Sequence, residues 1–231
     1  MRIAVVGSGY VGLVAGACFA DLGHDVILVD NDDRKVAALK HGQVPIHEKF
    51  LPELLSRHRG HRLTFSDNLQ EAVRRSSAIF VAVGTPPTEG GEADLSYVES
   101  VAREISGGIN GYKVIVEKST VPVYTSEWVR KTILRNGTDP DMFDVASNPE
   151  FLREGTAVTD FLFPDRIVVG CDSERSAALL REIYMPLTDG SYYRRADAIP
   201  QPDRASIPAP IIVTSTKSAE LIKHASNAFL R

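Results

Sequence analysis

The chain has 231 residues, 43% apolar and 24% charged, with 26 Lys and Arg against 30 Asp and Glu for a net charge of −4. This balance excludes a disordered or collagen-like chain, provides no basic field for nucleic acid or an anionic membrane, and leaves enough length to bury a core without metals or disulfides. Its two cysteines, Cys18 and Cys171, lack CxxC spacing and point to a reducing cytoplasm rather than a secreted disulfide framework.

In chain order, the apolar opening stops at Gly7, too early for a signal-peptide core. The longest strongly apolar run, residues 78–83, is far below the ~20 residues that span a bilayer. Short β-branched runs predict strands at 3–6, 26–29, 63–65, 79–83, 114–117, 145–147 and 167–169. Helical periodicity lies between them at 11–22, 33–40, 68–75, 95–105, 126–135 and 174–184. Alternating β and α units, most of whose strands are apolar throughout, predict an α/β fold, a doubly wound parallel sheet with helices on both faces. Residues 199–210 hold Pro200, Pro202, Pro208 and Pro210 and read as a surface loop. A last strand is predicted at 211–213 and a last helix at 216–230, which has no stop signal. The expected division is a Rossmann-like domain over 1–200 and, over 201–231, a loop and the start of a helix leading into a longer protein.

The turn after the first strand reads Gly7-Ser8-Gly9-Tyr10-Val11-Gly12, a GxGxxG spacing that opens a helix. Gly7 permits the tight turn, Gly9 lets a pyrophosphate approach the backbone, and Gly12 lets the helix pack close to the strand. Asp30 ends the second strand 18 residues after Gly12, where a carboxylate accepts from ribose hydroxyls and repels a 2′-phosphate. The pattern points to NAD. A merely structural turn is the plain alternative, and Arg34 and Lys35 keep NADP open.

Four further segments carry a family resemblance: Val83-Gly84-Thr85-Pro86, Lys118-Ser119-Thr120-Val121-Pro122, Asn148-Pro149-Glu150-Phe151-Leu152-Arg153-Glu154-Gly155 and Lys223-His224-Ala225-Ser226-Asn227-Ala228-Phe229. With these the chain resembles the UDP-glucose/GDP-mannose dehydrogenases over practically its whole length, and is most similar to bacterial members acting on UDP-glucose. The resemblance implies oxidation of a nucleotide sugar's C6 alcohol to a carboxylate with two NAD in succession, UDP-glucose giving UDP-glucuronate. GDP-mannose and N-acetylated sugar nucleotides such as UDP-N-acetylmannosamine stay open as substrates. It implies Thr120, Glu150, Lys223 and Asn227 as catalytic residues. Gly7, Gly9, Tyr10, Val11, Gly12, Asp30, Lys35, Thr85, Thr120 and Glu154 are the implied cofactor contacts. Glu150, Phe151, Leu152, Arg153, Glu154, Lys223 and Asn227 are the implied substrate contacts.

Plainer readings stand beside these roles: a turn hydroxyl for Thr120, a helix-terminus charge for Glu154, and a solvated Lys223–Glu220 pair. The family's nucleophile is a cysteine in a Gly-Gly-Ser-Cys context, which does not occur here. Cys18 and Cys171 read as structural, so the chain alone is expected to bind NAD without completing the four-electron oxidation. A homodimer or larger assembly is implied for the full-length protein. The six histidines have no paired ligand spacing and imply no metal, and His58 and His61 read as parts of a solvated turn. Two alternatives stay open: a 6-phosphogluconate or 3-hydroxyacyl-CoA type dehydrogenase, against which the segment 148–155 argues, and a nucleotide-binding module without chemistry.

Overall fold

Mostly apolar strands need cover on both faces, and the computed structural model supplies it for the central strands, whereas the last strand, at one edge, leaves Ile212 and Val213 exposed. It describes all residues except 87, 91–92, 203–207 and 230–231. The strands are β1 (Arg2–Val6), β2 (Asp25–Val29), β3 (Leu63–Ser66), β4 (Ala78–Val81), β5 (Lys113–Glu117), β6 (Phe143–Ser147), β7 (Ile167–Gly170) and β8 (Ile211–Thr214). The helices are α1 (Tyr10–Asp21), α2 (Asp33–Lys40), α3 (Leu51–His58), α4 (Leu69–Arg75), α5 (Ser96–Ser106), α6 (Thr125–Arg135), α7 (Ala157–Leu162), α8 (Glu174–Thr188) and α9 (Thr216–Phe229).

The strands form one sheet in the order β3-β2-β1-β4-β5-β6-β7-β8. Alternation along each strand divides the core into two layers. Ile3, Val5 and Leu28 point into a cluster with α1, α3, α7 and α8, whereas Ala4, Val6 and Ile27 point into one with α4, α5 and α6. Helix α1 is buried along nearly all its length, from Gly12 to Asp21. Phe19 meets Phe80, Phe161 and Tyr184 there, at ring-centre distances of 4.6, 5.1 and 5.7 Å.

The structure corrects the sequence reading at several points. The sheet is parallel from β3 through β6, but β7 runs antiparallel to β6, meeting it at Ser147 and Gly170, and β8 then pairs parallel with β7. Helices α3 and α7 stand where no element is predicted. His58 ends α3, buried, with Nε2 donating to Asp21 Oδ1 at 2.8 Å, so it does not sit on a solvated turn; His61 is exposed. Helix α8 runs past Tyr184 to Thr188 through Pro186, whose missing N–H falls in the last turn opposite the exposed Glu182. Strand β8 extends the sheet beyond residue 200. In the proline-rich loop residues 203–207 lie outside the described residues, as does Leu230 at the end of the last predicted helix.

Candidate functional site

β1 and β4 are parallel neighbours whose connections leave in opposite directions, so a crevice opens at their carboxyl ends. The glycine turn forms one wall. Gly7 has φ of +100°, and a side chain there would come within 2.7 Å of the Ala82 carbonyl oxygen. A Cβ on Gly12 would lie 1.8 Å from the Gly7 carbonyl oxygen. Gly12 thus brings α1 onto the glycine turn itself, a closer contact than the helix-to-strand packing its spacing predicts. A Cβ on Gly9 would meet nothing within 4 Å.

Side chains of Asp32, Asn68 and Ser173 cap α2, α4 and α8. Helix α1 has Gly9 at that position and no acidic residue in its first turn. Its first N–H groups and positive end therefore face open space, the chemistry that holds a pyrophosphate.

Asp30 is buried beside this turn. Its Oδ2 accepts the Ser8 N–H at 2.7 Å and the Ser8 hydroxyl, and its Oδ1 accepts the Asp32 N–H at 3.0 Å. Burial alone would push this carboxyl up, but those hydrogen bonds and the charge of Lys35 hold it below the usual carboxylate range. The ionised Oδ1 keeps acceptor capacity for a hydroxyl. Arg34 and Lys35 are exposed in the first turn of α2, so Lys35 reaches Asp30 through its field and not by contact.

A separate cavity, lined by none of Gly7 to Gly12, Asp30, Lys35 or Thr85, is formed by the loop after β6 and by α9. Lys223 Nζ lies 2.8 Å from Glu150 Oε1, and both side chains are about nine-tenths buried. Glu150 Oε2 accepts the Leu152 N–H at 2.7 Å. Glu150, Phe151, Leu152, Arg153, Lys223 and Asn227 line one cavity of about 850 Å³, within the range of small-molecule sites. Phe151 stacks under Arg166, whose guanidinium is 4.8 Å from the ring centre. Arg153 is clamped by Asp160 at 2.7 Å.

Thr120 and Glu154 are not among the residues lining this cavity. The Thr120 carbonyl accepts the Thr85 hydroxyl at 2.9 Å, which joins the loops after β4 and β5. Next to it, His224 of α9 donates from Nε2 to the Val121 carbonyl at 2.7 Å. Glu154 is exposed on the side of Tyr10. The Tyr10 hydroxyl contacts the Glu48 carboxylate and the Arg153 carbonyl, the latter at 3.2 Å, so the glycine-turn helix touches the cavity loop directly. Val11 is half-buried against the core.

Several contributors were not legible in the sequence. Glu48, from the loop between α2 and α3, accepts the Tyr10 hydroxyl, the Gly155 N–H and, at 3.1 Å, the Ala157 N–H, which fixes the end of the cavity loop; no motif marks it. Glu220 does not pair with Lys223. It accepts the Tyr124 N–H at 2.7 Å and the Ser126 N–H at 2.8 Å, docking α9 on the start of α6. Lys118 is buried at the cavity floor, and a signal existed, since it follows directly on the all-buried strand β5. Burial pushes the Cys18 thiol far up and the Cys171 thiol up to about 11, which disfavours the thiolate at both.

Comparison with known proteins agrees with this geometry. Residues 1–188 match the UDP-glucose/GDP-mannose dehydrogenase family, NAD binding domain. A UDP-glucose 6-dehydrogenase of Rhizobium meliloti is 46% identical over 100% of this chain and 49% of its own length. The solved UDP-glucose dehydrogenase of Pyrobaculum islandicum superposes with a TM-score of 0.85 at 41% identity, over 99% of this chain and 49% of that one. A GDP-mannose dehydrogenase of Pseudomonas aeruginosa gives 0.87 at 34% identity, over 100% of this chain and 50% of that one. The chain spans about half the length of the curated relatives it matches. It belongs to the UDP-glucose/GDP-mannose dehydrogenase family, and NAD is the cofactor of its domain.

Proposed function

We propose that, as a member of this family, the chain supplies the NAD-binding half of a UDP-glucose 6-dehydrogenase that oxidises the C6 alcohol of UDP-glucose. One observation carries the reading: Glu150, Lys223 and Asn227, read as catalytic from the sequence, line one cavity whose loop is touched, through Tyr10, by the helix that the glycine turn opens. NAD, when bound, accepts the hydride. The chain's own groups bind, orient and handle charge. The first turn of α1 receives the pyrophosphate, and Asp30 accepts from the adenosine ribose, with Tyr10, Val11, Lys35 and Thr85 beside them. Lys223 and Asn227, one helical turn apart on α9, offer donors to the C6 oxygen as its proton leaves.

Glu150, already paired with Lys223, holds that ammonium in place and accepts the proton. Phe151 to Glu154 contact the nucleotide sugar. Thr120, three residues past β5, holds a water or the C6 oxygen in this reading. The covalent stage is assigned to neither Cys18 nor Cys171. In the same reading the NAD-binding domain takes in β8 as well as 1–200, α9 starts a connecting helix, the full-length protein is a homodimer or larger, and it works in the cytoplasm.

The test is NADH formation by the full natural chain with UDP-glucose and GDP-mannose offered separately. Turnover with UDP-glucose is expected. Turnover with GDP-mannose alone would transfer the reading to the activity of the Pseudomonas relative, and NADH from neither sugar nucleotide would defeat it.

A further inference from the structure

The segment Lys118 to Pro122 has a role for its threonine but none for its lysine. Lys118 is 3% exposed on the floor of the cavity that Glu150 and Lys223 also line. Its Nζ donates to Asn148 Oδ1 at 3.1 Å and lies 5.5 Å from the centre of the Phe161 ring. Among the described residues it makes no other hydrogen bond, although an ammonium carries three protons. Asn148 is itself fixed, since Oδ1 also accepts the Tyr184 hydroxyl and Nδ2 donates to the Val168 carbonyl at 2.7 Å. A neutral amide cannot balance a buried cation, and such a charge persists only beside an opposite one. Glu150 lines the same cavity and is the carboxylate whose charge favours this ammonium.

We propose that Lys118 is a positioning residue for the Glu150–Lys223 pair, a second buried ammonium that shares the Glu150 carboxylate and leaves the cavity floor with one net positive charge. A closed one-to-one pair would offer nothing to a developing alkoxide. Two ammoniums against one carboxylate favour an oxyanion between them. This rests on the nucleotide-sugar reading above.

The charged and titratable groups facing Lys118 are Glu150 from the loop after β6, Lys223 from α9, Cys18 from α1 and Tyr184 from α8. Burial pushes Lys118 down to about 8, with Glu150 opposing the shift and Lys223 adding to it. The extra charge is therefore present at neutral pH and lost in mild alkali.

Two measurements on the full natural chain test the assignment. In an NMR titration of lysine side chains, one lysine is expected to titrate near pH 8, to move lower in Glu150→Gln and to be absent from Lys118→Met. In NAD reduction with UDP-glucose, Lys118→Met is expected to lower kcat about tenfold with the KM for NAD within about twofold, and to erase an alkaline limb near pH 8. Lys118→Arg, which keeps the charge, should restore part of kcat. Wild-type kcat and limb in Lys118→Met, or no lysine titrating that low, would overturn the proposal. Absence of turnover by the wild type with any nucleotide sugar would defeat the functional reading alone. The NMR arm would still decide Lys118, and the wild type with Glu150→Gln suffices there if Lys118→Met does not fold.

Discussion

At the scale of single residues, the glycine turn separates binding from folding. A methyl group on Gly9 meets open space and its φ of −69° suits alanine, whereas one on Gly12 meets the Gly7 carbonyl oxygen at 1.8 Å. Gly9→Ala should therefore keep the wild-type thermal midpoint and lose NAD affinity at least tenfold by calorimetry, because the methyl stands where phosphate oxygens approach. Gly12→Ala should lower the midpoint itself. Equal behaviour of the two variants would mean that the turn has no phosphate over it.

Asp30 gives the complementary measurement. Losing a hydrogen bond to a charged group costs roughly 1.5–3 kcal/mol, so Asp30→Ala should weaken NAD by about tenfold to a hundredfold. Because Ser8 donates twice to the same carboxylate, part of that loss comes from a loosened turn. Ser8→Ala should reproduce a fraction of it, and unchanged NAD affinity in Asp30→Ala would remove the ribose role.

At the scale of elements, the docking of α9 on α6 brings two carboxyl groups together. Glu220 takes the N–H groups of Tyr124 and Ser126, and Tyr124 is held at φ of +79°, an arrangement that costs a non-glycine residue about 1–2 kcal/mol. On the same face of the sheet Glu117, at the end of β5, is buried, and its carboxyl oxygens have no hydrogen-bond partner among the described residues. Burial first, and then the Glu220 charge, push it up to about 8.

A raised carboxyl stabilises the fold fully below the unfolded value near 4.3. That contribution falls as pH rises, through a folded pKa of about 8. The unfolding free energy of the wild type from urea titrations should thus decline across that interval by an amount on the order of a few kcal/mol, and Glu117→Gln should flatten the decline. An unchanged slope in Glu117→Gln would place the alkaline loss elsewhere.

Elements of this kind divide sharply in how far the sequence reveals them. The βα units were legible because apolar runs and helical periods are local, and the glycine turn because each glycine meets its own steric demand. α3 and α7 were not. The first spans Leu51–His58 with Pro52 in its opening turn and Phe50 at φ of +68° before it, and the second spans six residues, too few for a period to stand out. The reversal of β7 is illegible for another reason, since an apolar strand reads the same in either direction. In the candidate site the motif residues were visible, but Glu48 and Glu220 reach their partners across 107 and 94 positions respectively.

At the scale of the whole molecule, the two edges of the sheet have different tasks. The carboxyl edge leaves donors open around the site, while the amino edge is closed by Asp21, the last residue of α1, whose side chain is fully shielded. Oδ1 accepts from Arg57 Nη1 at 3.0 Å and His58 Nε2 at 2.8 Å, and Oδ2 accepts the Tyr192 hydroxyl at 2.7 Å. Arg195 donates to the Asp21 carbonyl, so one carboxylate residue ties α1, α3 and the turn at 192–195.

Burial alone would push this carboxyl up. His58, Tyr192, Arg57 and Arg195 together outweigh it and hold the group below the usual carboxylate range. A depressed carboxyl stabilises the fold above its unfolded value near 3.9 and loses that contribution as pH falls through the folded one. Asp21 therefore shapes the acid limb of stability and Glu117 the decline above it, with a maximum at roughly pH 4, between the two unfolded values. Asp21→Asn should cost roughly 3–5 kcal/mol at neutral pH, as expected when a shielded ion pair loses one partner, and should flatten only the acid limb. Because the two groups share no partner, Asp21→Asn with Glu117→Gln should give the sum of the single effects at every pH. A double variant that departs from that sum by more than about 0.5 kcal/mol would show that the sheet couples its two edges.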